Sequence, residues 1–453
     1  MNASSVSTGI LLVGEPVTSL AEYRKRGGLA AYNRVARSDP AKIIDIIRQA
    51  GLRGRGGAGF PTALKWDSLR QSVARTKYVC ANGAEGEPGT FKDRWLLRHN
   101  PYQALEGLAI AARVTGAAGA YLATKLLFRQ LIPGLERALD ELRNETSIAD
   151  QIEIVWGPDE YLFGEEKGLL SVIEGGLPLP RRLPPYIHGL FTGAYGGPGE
   201  EFSNPTIVNN VETLSHVPHI ITRGSAWFRS FGTDETPGTM VFTVLGDVRR
   251  PSIQEMPLGL TVRQLLDEVA GGPREGHRVK AVLPGLANSV ITEAQLDTPL
   301  GFDSMRNAGT GLGSGGFIVY DETACMVDVA RTYSHFLFTE SCNQCPPCKV
   351  GSQRITERLD RLLAGEAQVR DIEEIWETTS WVPDSGRCYL PTSEQLVISS
   401  IMEAFPEDFD AHLQGTCALR HELPLPKILG FQEGKGFTFD DKYWRKKPDW
   451  TYD

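Results

Sequence analysis

From Tyr78 onward the chain alternates short apolar runs with long helical ones, and this alternation limits the available folds more than any other feature. KYVCAN, GAYLAT and QIEIVWG read as strands, and stretches such as YQALEGLAIAARVTG between them read as helices. Strand and helix in regular succession are the pattern of a parallel sheet covered by helices, which residues 75–235 would form. Upstream, DPAKIIDIIRQAG offers Asp39 as N-cap, Pro40 as first helical residue, Ile43, Ile44 and Ile47 as an apolar face, and Gly51 as the stop. A second helix begins at Pro61 and runs through Leu64, Trp66 and Leu69. Downstream the pattern changes twice. TMVFTVLGDV, TVRQLLDEVAG, VKAVLPG and GGFIVYD describe a small α+β module over residues 239–320. Helical patterns follow from Glu322, ending in a polar surface tail, KKPDWTYD.

Composition narrows the function. A chain of 453 residues supports about three domains. Its formal charge of -9 argues against non-specific binding to nucleic acid, which depends on neutralising phosphates with Lys and Arg. No apolar run is long enough to span a membrane. The N-terminus lacks the basic region of a signal peptide and the arginines of a transit peptide. Seven cysteines, three of them within residues 342–348, fit cofactor chemistry in a reducing compartment better than a disulfide framework.

Between the first two helices lies GLRGRGGAGF, residues 51–60, with five glycines among its first nine positions. Gly54, Gly56 and Gly59 satisfy G-x-G-x-x-G. That fingerprint, however, follows a strand in dinucleotide-binding folds, and here a helix precedes it. A repetitive Arg-Gly linker is also disfavoured, because the motif occurs once between two good helices. The remaining readings are a structural glycine turn and a fixed loop whose bare backbone lies against a flat or anionic ligand, with Arg53, Arg55 or Lys65 supplying charge.

Three further motifs carry chemistry. Cys342, Cys345 and Cys348 in ESCNQCPPCKVG have the spacing that gathers three thiolates round a 4Fe-4S cluster, with Cys388 or Cys417 as fourth ligand. Structural zinc usually draws on two separated pairs instead. Cys80 and Cys325, each alone in an apolar segment, read as small buried hydrophobes. Paired acids at Glu85 and Glu87, and at Glu165 and Glu166, follow candidate strands, where carboxylates can bind ribose hydroxyls. Asn209, Asn210 and Thr213 in NPTIVNNVET suit either a helix-capping turn or a phosphate or ribityl site. The connection Gly175–Pro205 is long enough to be functional. No HExxH, Walker A or G-x-S-x-G motif is present, so hydrolase and P-loop templates gain nothing.

GLRGRGGAGFPTALKW, EGEPGTFKDRWLL, YLFGEEKGLLSVIEG, NPTIVNNVETL and ESCNQCPPCKVG, in this order and spacing, resemble the NADH-binding flavoprotein subunit of respiratory complex I. They also resemble the diaphorase subunits of NAD-linked formate dehydrogenases and hydrogenases. The resemblance runs from about Tyr23 to Cys388. It implies an α/β multidomain chain: an N-terminal helical segment with the glycine loop (1–74), a Rossmann-like FMN and NADH domain (75–237), a β-grasp, ubiquitin-like module (238–320), and a C-terminal helical bundle carrying a 4Fe-4S cluster (321–453). Carried over motif by motif, FMN would be held by Gly54, Arg55, Gly56, Gly57 and Lys65 from the loop region. Asn82, Gly164, Glu165, Val208, Asn209, Asn210 and Thr213 would complete that site, with Tyr161 near the flavin. Phe60, Glu85, Glu166 and Tyr186 would meet NADH. Cys388 would be the fourth cluster ligand beside Cys342, Cys345 and Cys348.

The implied activity is that of an NADH dehydrogenase or diaphorase subunit: hydride transfer between NADH and FMN, then single electrons through the cluster. No side-chain general acid or base is expected, because the flavin carries the chemistry. The implied partners are a thioredoxin-like 2Fe-2S subunit and a further iron-sulfur or catalytic subunit. The implied place is the cytoplasm of a bacterial cell, peripheral to the membrane where the complex has a membrane arm. A different class of reading, a cysteine-zinc module binding nucleic acid through the Arg-Gly loop, is the alternative. The chain departs from the family in three places. Ala84 stands where the family has an aspartate near the flavin, the connection after Pro185 is longer, and YLPTSEQLVISS after Cys388 is unusual.

Overall fold

A computed structural model describes residues 9–12, 14–192 and 202–448. The tail at 449–453 and much of HGLFTGAYGGPGEEF lie outside the described residues. The chain divides into two compact units. The first is Met1–Glu85, Lys92–Phe242 and Gln254–Leu260, and the second is Gly86–Phe91, Thr243–Ile253 and Thr261–Asp453.

The first unit opens with two short helices, α1 (Leu20–Lys25) and α2 (Ala30–Val35). Helix α3 (Pro40–Ala50) is bounded as its sequence requires: Asp39 accepts a hydrogen bond from the Ala41 N–H, and Gly51 stops the helix at φ 72°. Ile43, Ile44, Ile47 and Ala50 form its buried face. After the glycine loop comes α4 (Thr62–Gln71). Then follow β1 (Tyr78–Gly83), α5 (Lys92–His99), α6 (Pro101–Thr115), β2 (Gly119–Lys125), α7 (Ile132–Glu145), β3 (Ile152–Gly157), α8 (Glu166–Ile173), β4 (Thr206–Asn210), α9 (Val211–Arg223) and α10 (Ser225–Arg229).

The four strands are all parallel and lie in the order β3-β2-β1-β4. Tyr78 pairs with Gly119 on one side and Thr206 on the other. The chain therefore builds outward from β1 through β2 to β3, then returns to lay β4 on the opposite side of β1. Helix α6 is buried along nearly its whole length. It approaches α9 so closely that a Cβ on Gly107 would lie 2.0 Å from the Leu214 carbonyl oxygen, a contact only glycine permits.

A five-stranded sheet ordered β6-β5-β9-β7-β8 comes next along the chain. Its strands are β5 (Thr239–Gly246), β6 (Ser252–Pro257), β7 (Val279–Leu283), β8 (Ile291–Thr292) and β9 (Gly316–Asp321), with α11 (Val262–Ala270) and α12 (Phe302–Asn307) between them. Strand β9 runs parallel to β5 and antiparallel to β7. Five helices follow: α13 (Met326–Thr339), α14 (Pro346–Leu363), α15 (Val369–Trp381), α16 (Leu390–Ala404) and α17 (Pro406–Leu413). A two-stranded hairpin, β10 (Ile428–Gln432) with β11 (Gly436–Phe439), and a short helical turn at Tyr443–Arg445 follow.

Candidate functional site

In a parallel sheet, ligands bind beyond the carboxyl ends of strands where the strand order reverses. Here that point lies between β1 and β4, where Asn82 pairs with Asn210 and Ala81 with Asn209. The glycine loop is laid over this crevice. Its two ends are tied together by pairing of Arg53 with Pro61, by the Gly54 N–H donating to the Phe60 carbonyl at 2.9 Å, and by the Thr62 N–H donating to the Leu52 carbonyl at 3.0 Å. Gly57 sits at φ 123°, a conformation side chains resist, and a Cβ there would meet nothing within 4 Å. A Cβ on Gly56 would lie 3.1 Å from Cβ of Asn210. The loop thus offers open backbone at Gly57 and close approach at Gly56, as a cradle for a flat ligand requires.

Arg55 does not present its charge to that cradle. It is fully buried, and its guanidinium donates to the carbonyls of Arg53, Pro237 and Thr239, while its N–H donates to Thr213 Oγ1 at 2.8 Å. Burial lowers its pKa to about 10 against the opposing pull of Glu212. Arg55 therefore pins the loop from beneath. Arg53 donates to the Gly59 carbonyl. Lys65 reaches the crevice from α4, donating to the Val208 carbonyl at 2.7 Å and pairing with Glu166 at 3.2 Å. Trp66, wholly buried, fixes the same helix to β4 through its indole N–H and Asn209 Oδ1.

On the β1 side, Asn82 Nδ2 donates to the Gly164 carbonyl at 2.7 Å, and Asn82 Oδ1 accepts from the N–H of Ala84. Glu165 caps α8, accepting from the N–H groups of Lys167 and Gly168, and burial raises its pKa. Val208 lies buried in β4, and Tyr161 stands half-buried at the entry to α8. Phe60 and Tyr186 are 55% and 65% exposed, large aromatic faces presented to solvent. Glu85, by contrast, is buried and engaged: it pairs with Arg94 at 2.8 Å and accepts from the Asp93 N–H.

Asn210 realises the capping role open to it, accepting from the Glu212 N–H at the start of α9. Its amide also accepts from Lys92 and donates to Asp93 and the Asn82 carbonyl, so all four hydrogen-bonding positions are taken. Beneath it lies a buried charge network that the motifs did not announce. Lys92, fully buried, contacts Asp93 at 2.6 Å and Glu212 at 3.0 Å. Burial works against the ammonium, but Asp93 and Glu212 outweigh it and hold its pKa above the ordinary range. Burial, joined by Glu85, pushes Asp93 up to about 6 despite Lys92. The only sequence signal was a lysine and an aspartate opening α5 and a glutamate in the first turn of α9.

His216, on the buried face of α9, is held neutral chiefly by burial and secondarily by the nearby charge of Arg55, with His219 and Lys92 adding to it. Its folded pKa lies well below 6.5, so as pH falls the unfolded chain takes up a proton that the folded chain refuses. Stability should therefore drop by about 1.4 kcal/mol per pH unit from this residue below pH 6.5. Urea midpoints at pH 7 and pH 5 should lie closer together in His216→Gln than in the parent. An unchanged gap would mean the histidine titrates normally.

A separate concavity of about 540 Å³ lies at the ends of β2 and β3, lined by Leu126, Trp156 and Gly176 among others, and includes none of the predicted residues.

In the second unit, Cys345 is the N-cap of α14, Pro346 its first residue, and Cys348 lies in its first turn, buried. Two of the four cysteines named for a cluster thus sit at the positive end of a long helix, which favours thiolate. Burial pushes the bare Cys348 thiol up to about 12, with Cys342 and Cys345 close enough to add to the effect. Ser341 Oγ lies 3.4 Å from Cys348 Sγ, and Gln344 Nε2 donates to Cys342 Sγ. Arg387 donates to Gln344 Oε1 at 2.8 Å, drawing the segment that carries Cys388 toward this loop. YLPTSEQLVISS, which follows Cys388, forms the first part of α16. An all-thiol set with members at a helix start suits an iron-sulfur cluster. Cys417 belongs elsewhere, in a group with Cys325, His412 and His421. Cys80 is the buried hydrophobe expected, whereas Cys325 is buried but faces histidine.

Residues 47–219 match the Nuo51 FMN-binding domain, and residues 328–412 match the NADH-ubiquinone oxidoreductase-F iron-sulfur binding region. Residues 241–285 match the SLBB domain. The chain thus has an FMN-binding domain and a 4Fe-4S binding region. It is 36% identical over 408 residues to an F-type subunit of the NADH-quinone oxidoreductase of Rhizobium meliloti (strain 1021), covering 87% of this chain and 94% of that one. It is 32% identical to the NADP-reducing hydrogenase subunit HndC of Solidesulfovibrio fructosivorans, covering 87% and 81%. Among solved structures, an NAD+-reducing [NiFe]-hydrogenase in the H2-reduced state aligns with TM-score 0.75 at 33% identity, covering 84% of this chain and 63% of that chain. The chain belongs to the family of F-type NADH-quinone oxidoreductase subunits and their hydrogenase diaphorase relatives.

Proposed function

We propose that this chain is the electron-input subunit of a multisubunit oxidoreductase, exchanging hydride with NADH and passing single electrons to partner subunits. The observation that carries this reading is the closed glycine loop over the β1/β4 switch point, in a chain of this family. When bound, FMN supplies hydride acceptance and one-electron release, and the 4Fe-4S cluster supplies one-electron relay.

Gly54, Gly56 and Gly57 offer backbone to FMN, and Asn82, Gly164, Glu165, Val208 and Asn209 line the crevice that holds it. Asn210, its amide fully used, contributes through its backbone. Thr213, already accepting from Arg55, keeps its hydroxyl proton to donate. Arg55 acts from below, by holding the loop, and Lys65 brings positive charge from α4. Tyr161 flanks the flavin. Phe60 and Tyr186 present aromatic faces for the rings of NADH, and Glu166 a carboxylate for its ribose. Glu85 shapes the same wall through its pair with Arg94. Cys342, Cys345, Cys348 and Cys388 hold the cluster.

The chain then has four functional parts, 1–74, 75–237, 238–320 and 321–453. In this division the FMN and NADH part is Rossmann-like, the SLBB-matching part is the β-grasp module, and α13–α17 are the cluster-bearing bundle. The names of its relatives support partner subunits, among which we expect a thioredoxin-like 2Fe-2S protein and a further iron-sulfur or catalytic subunit. No helix among the described residues is long and apolar enough to cross a membrane. We assign the chain to the cytoplasmic face, peripheral to any membrane arm. The nucleic-acid alternative loses its basis, because the arginine at the centre of the loop is buried.

The test is direct. The purified protein should show flavin absorbance over a broad cluster band, and NADH should bleach both. A colourless, metal-free protein would refute the proposal.

A further inference from the structure

Cys325, His412, Cys417 and His421 bring one ligand atom each within 4.8 Å of all the others. Cys325 Sγ lies 3.2 Å from His412 Nε2, and Cys417 Sγ lies 3.3 Å from His421 Nε2. The two imidazoles stack with centroids 5.1 Å apart. Tetrahedral zinc, at ordinary Zn–S and Zn–N lengths, sets neighbouring sulfur and nitrogen ligands about 3.6 Å apart, so contraction round one ion needs only small side-chain shifts. We propose that these four side chains form a structural Cys2His2 zinc site, separate from the iron-sulfur centre.

The surroundings prepare the ligands. Cys325 is the N-cap of α13, and its neighbours are held in place by main-chain bonds: the Arg420 N–H donates to the Thr323 carbonyl at 2.7 Å and the Cys325 N–H to the Arg420 carbonyl at 3.1 Å. His412, in α17, has Nδ1 3.1 Å from the Leu362 carbonyl. A proton on Nδ1 donated there leaves Nε2 bare to bind metal, the usual arrangement for a ligating histidine. Asp408 Oδ2 accepts from the Met326 N–H, and Asp328 Oδ2 from the Leu423 N–H, so both chain segments carrying the ligands are tied to α13. Cys325 and His412 are buried, while Cys417 and His421 are less so, which leaves an approach for the ion.

With four protein ligands the site has no open position, and two thiolates with two imidazoles suit zinc rather than magnesium or calcium. Binding releases two protons, one from each thiol, and no redox partner is involved. The site's task is to fasten the segment after α17 to the start of α13. This inference is independent of the function proposed above.

Metal analysis of the full chain, purified under reducing conditions from zinc-supplemented cells, tests it. About one zinc per chain is expected besides the cluster iron, and its X-ray absorption should report about two sulfur and two nitrogen neighbours. The double variant Cys417→Ser, His421→Ala should lose the zinc and keep the iron. A zinc-free chain with full iron, zinc retained in the double variant, iron bound at these four residues, or a Cys325–Cys417 disulfide in peptide maps would each overturn the proposal. Should the double variant not fold, absorption by the unmodified protein decides alone.

Discussion

Lys92→Met is expected to destabilise the first unit by about 3–5 kcal/mol, because it strips the buried carboxylates of Asp93 and Glu212 of their shared cation. With Lys92 gone, both acids must stay charged without a partner or take up protons, and Asp93 is already raised to about 6 by burial. Domains are commonly stable by only about 5–15 kcal/mol, so a large part of the total is at stake. The loss should reach function too, since the Lys92 ammonium donates to Asn210 at the floor of the crevice. Urea unfolding and flavin retained through gel filtration are the two readouts. Neutralising the acids together with the lysine, as Lys92→Met, Asp93→Asn, Glu212→Gln, should recover part of the stability, because removing all the charges costs less than orphaning some. A single variant with the parent's urea midpoint would show that the network is not charged as its geometry implies.

Cys348→Ala should abolish the iron-sulfur centre while sparing the flavin. Cys348 is the most buried of the four cysteines assigned to the cluster, and alanine removes its thiolate and supplies no ligand in its place. Iron should fall to background and the broad visible absorbance should vanish, yet NADH should still bleach the flavin band. Zinc, if bound by Cys325, His412, Cys417 and His421, should remain. The opposite pattern, with iron surviving in Cys348→Ala and lost in Cys417→Ser, would move the cluster to the other group of ligands.

Local signals were legible wherever neighbouring residues decide the structure. Asp39, Pro40 and Gly51 bound α3 because capping and helix termination act over a few residues. The strands at Tyr78 and Gly119 follow from runs that can bury both faces, and the edge strand at Ile152 from a short apolar run that leaves Glu153 exposed. The tri-cysteine run was legible for the same reason. What escaped the sequence depends on pairings between distant positions. Arg55 reads as a ligand-facing charge until the carbonyls of Pro237 and Thr239, more than 180 residues on, are found to accept its hydrogen bonds. Cys325 reads as a small hydrophobe because its partner His412 is 87 residues away. The signal for that group was H-x4-C-x3-H at 412–421, short and unremarkable without its fourth member. Lys92 and Glu212 were hidden likewise, since a charge in a helix start looks like surface until the helix is seen to be buried.

The tethered ends of the glycine loop bear on how the apoprotein would take up its flavin. A loop of this composition left free would have to freeze several very mobile residues at the moment of binding, and affinity would suffer accordingly. Here that ordering is already accomplished during folding, by pairing of Arg53 with Pro61 and by the plug of Arg55 beneath. Flavin uptake then becomes docking onto a finished surface, governed by diffusion and desolvation rather than by the rate at which a disordered segment finds its shape.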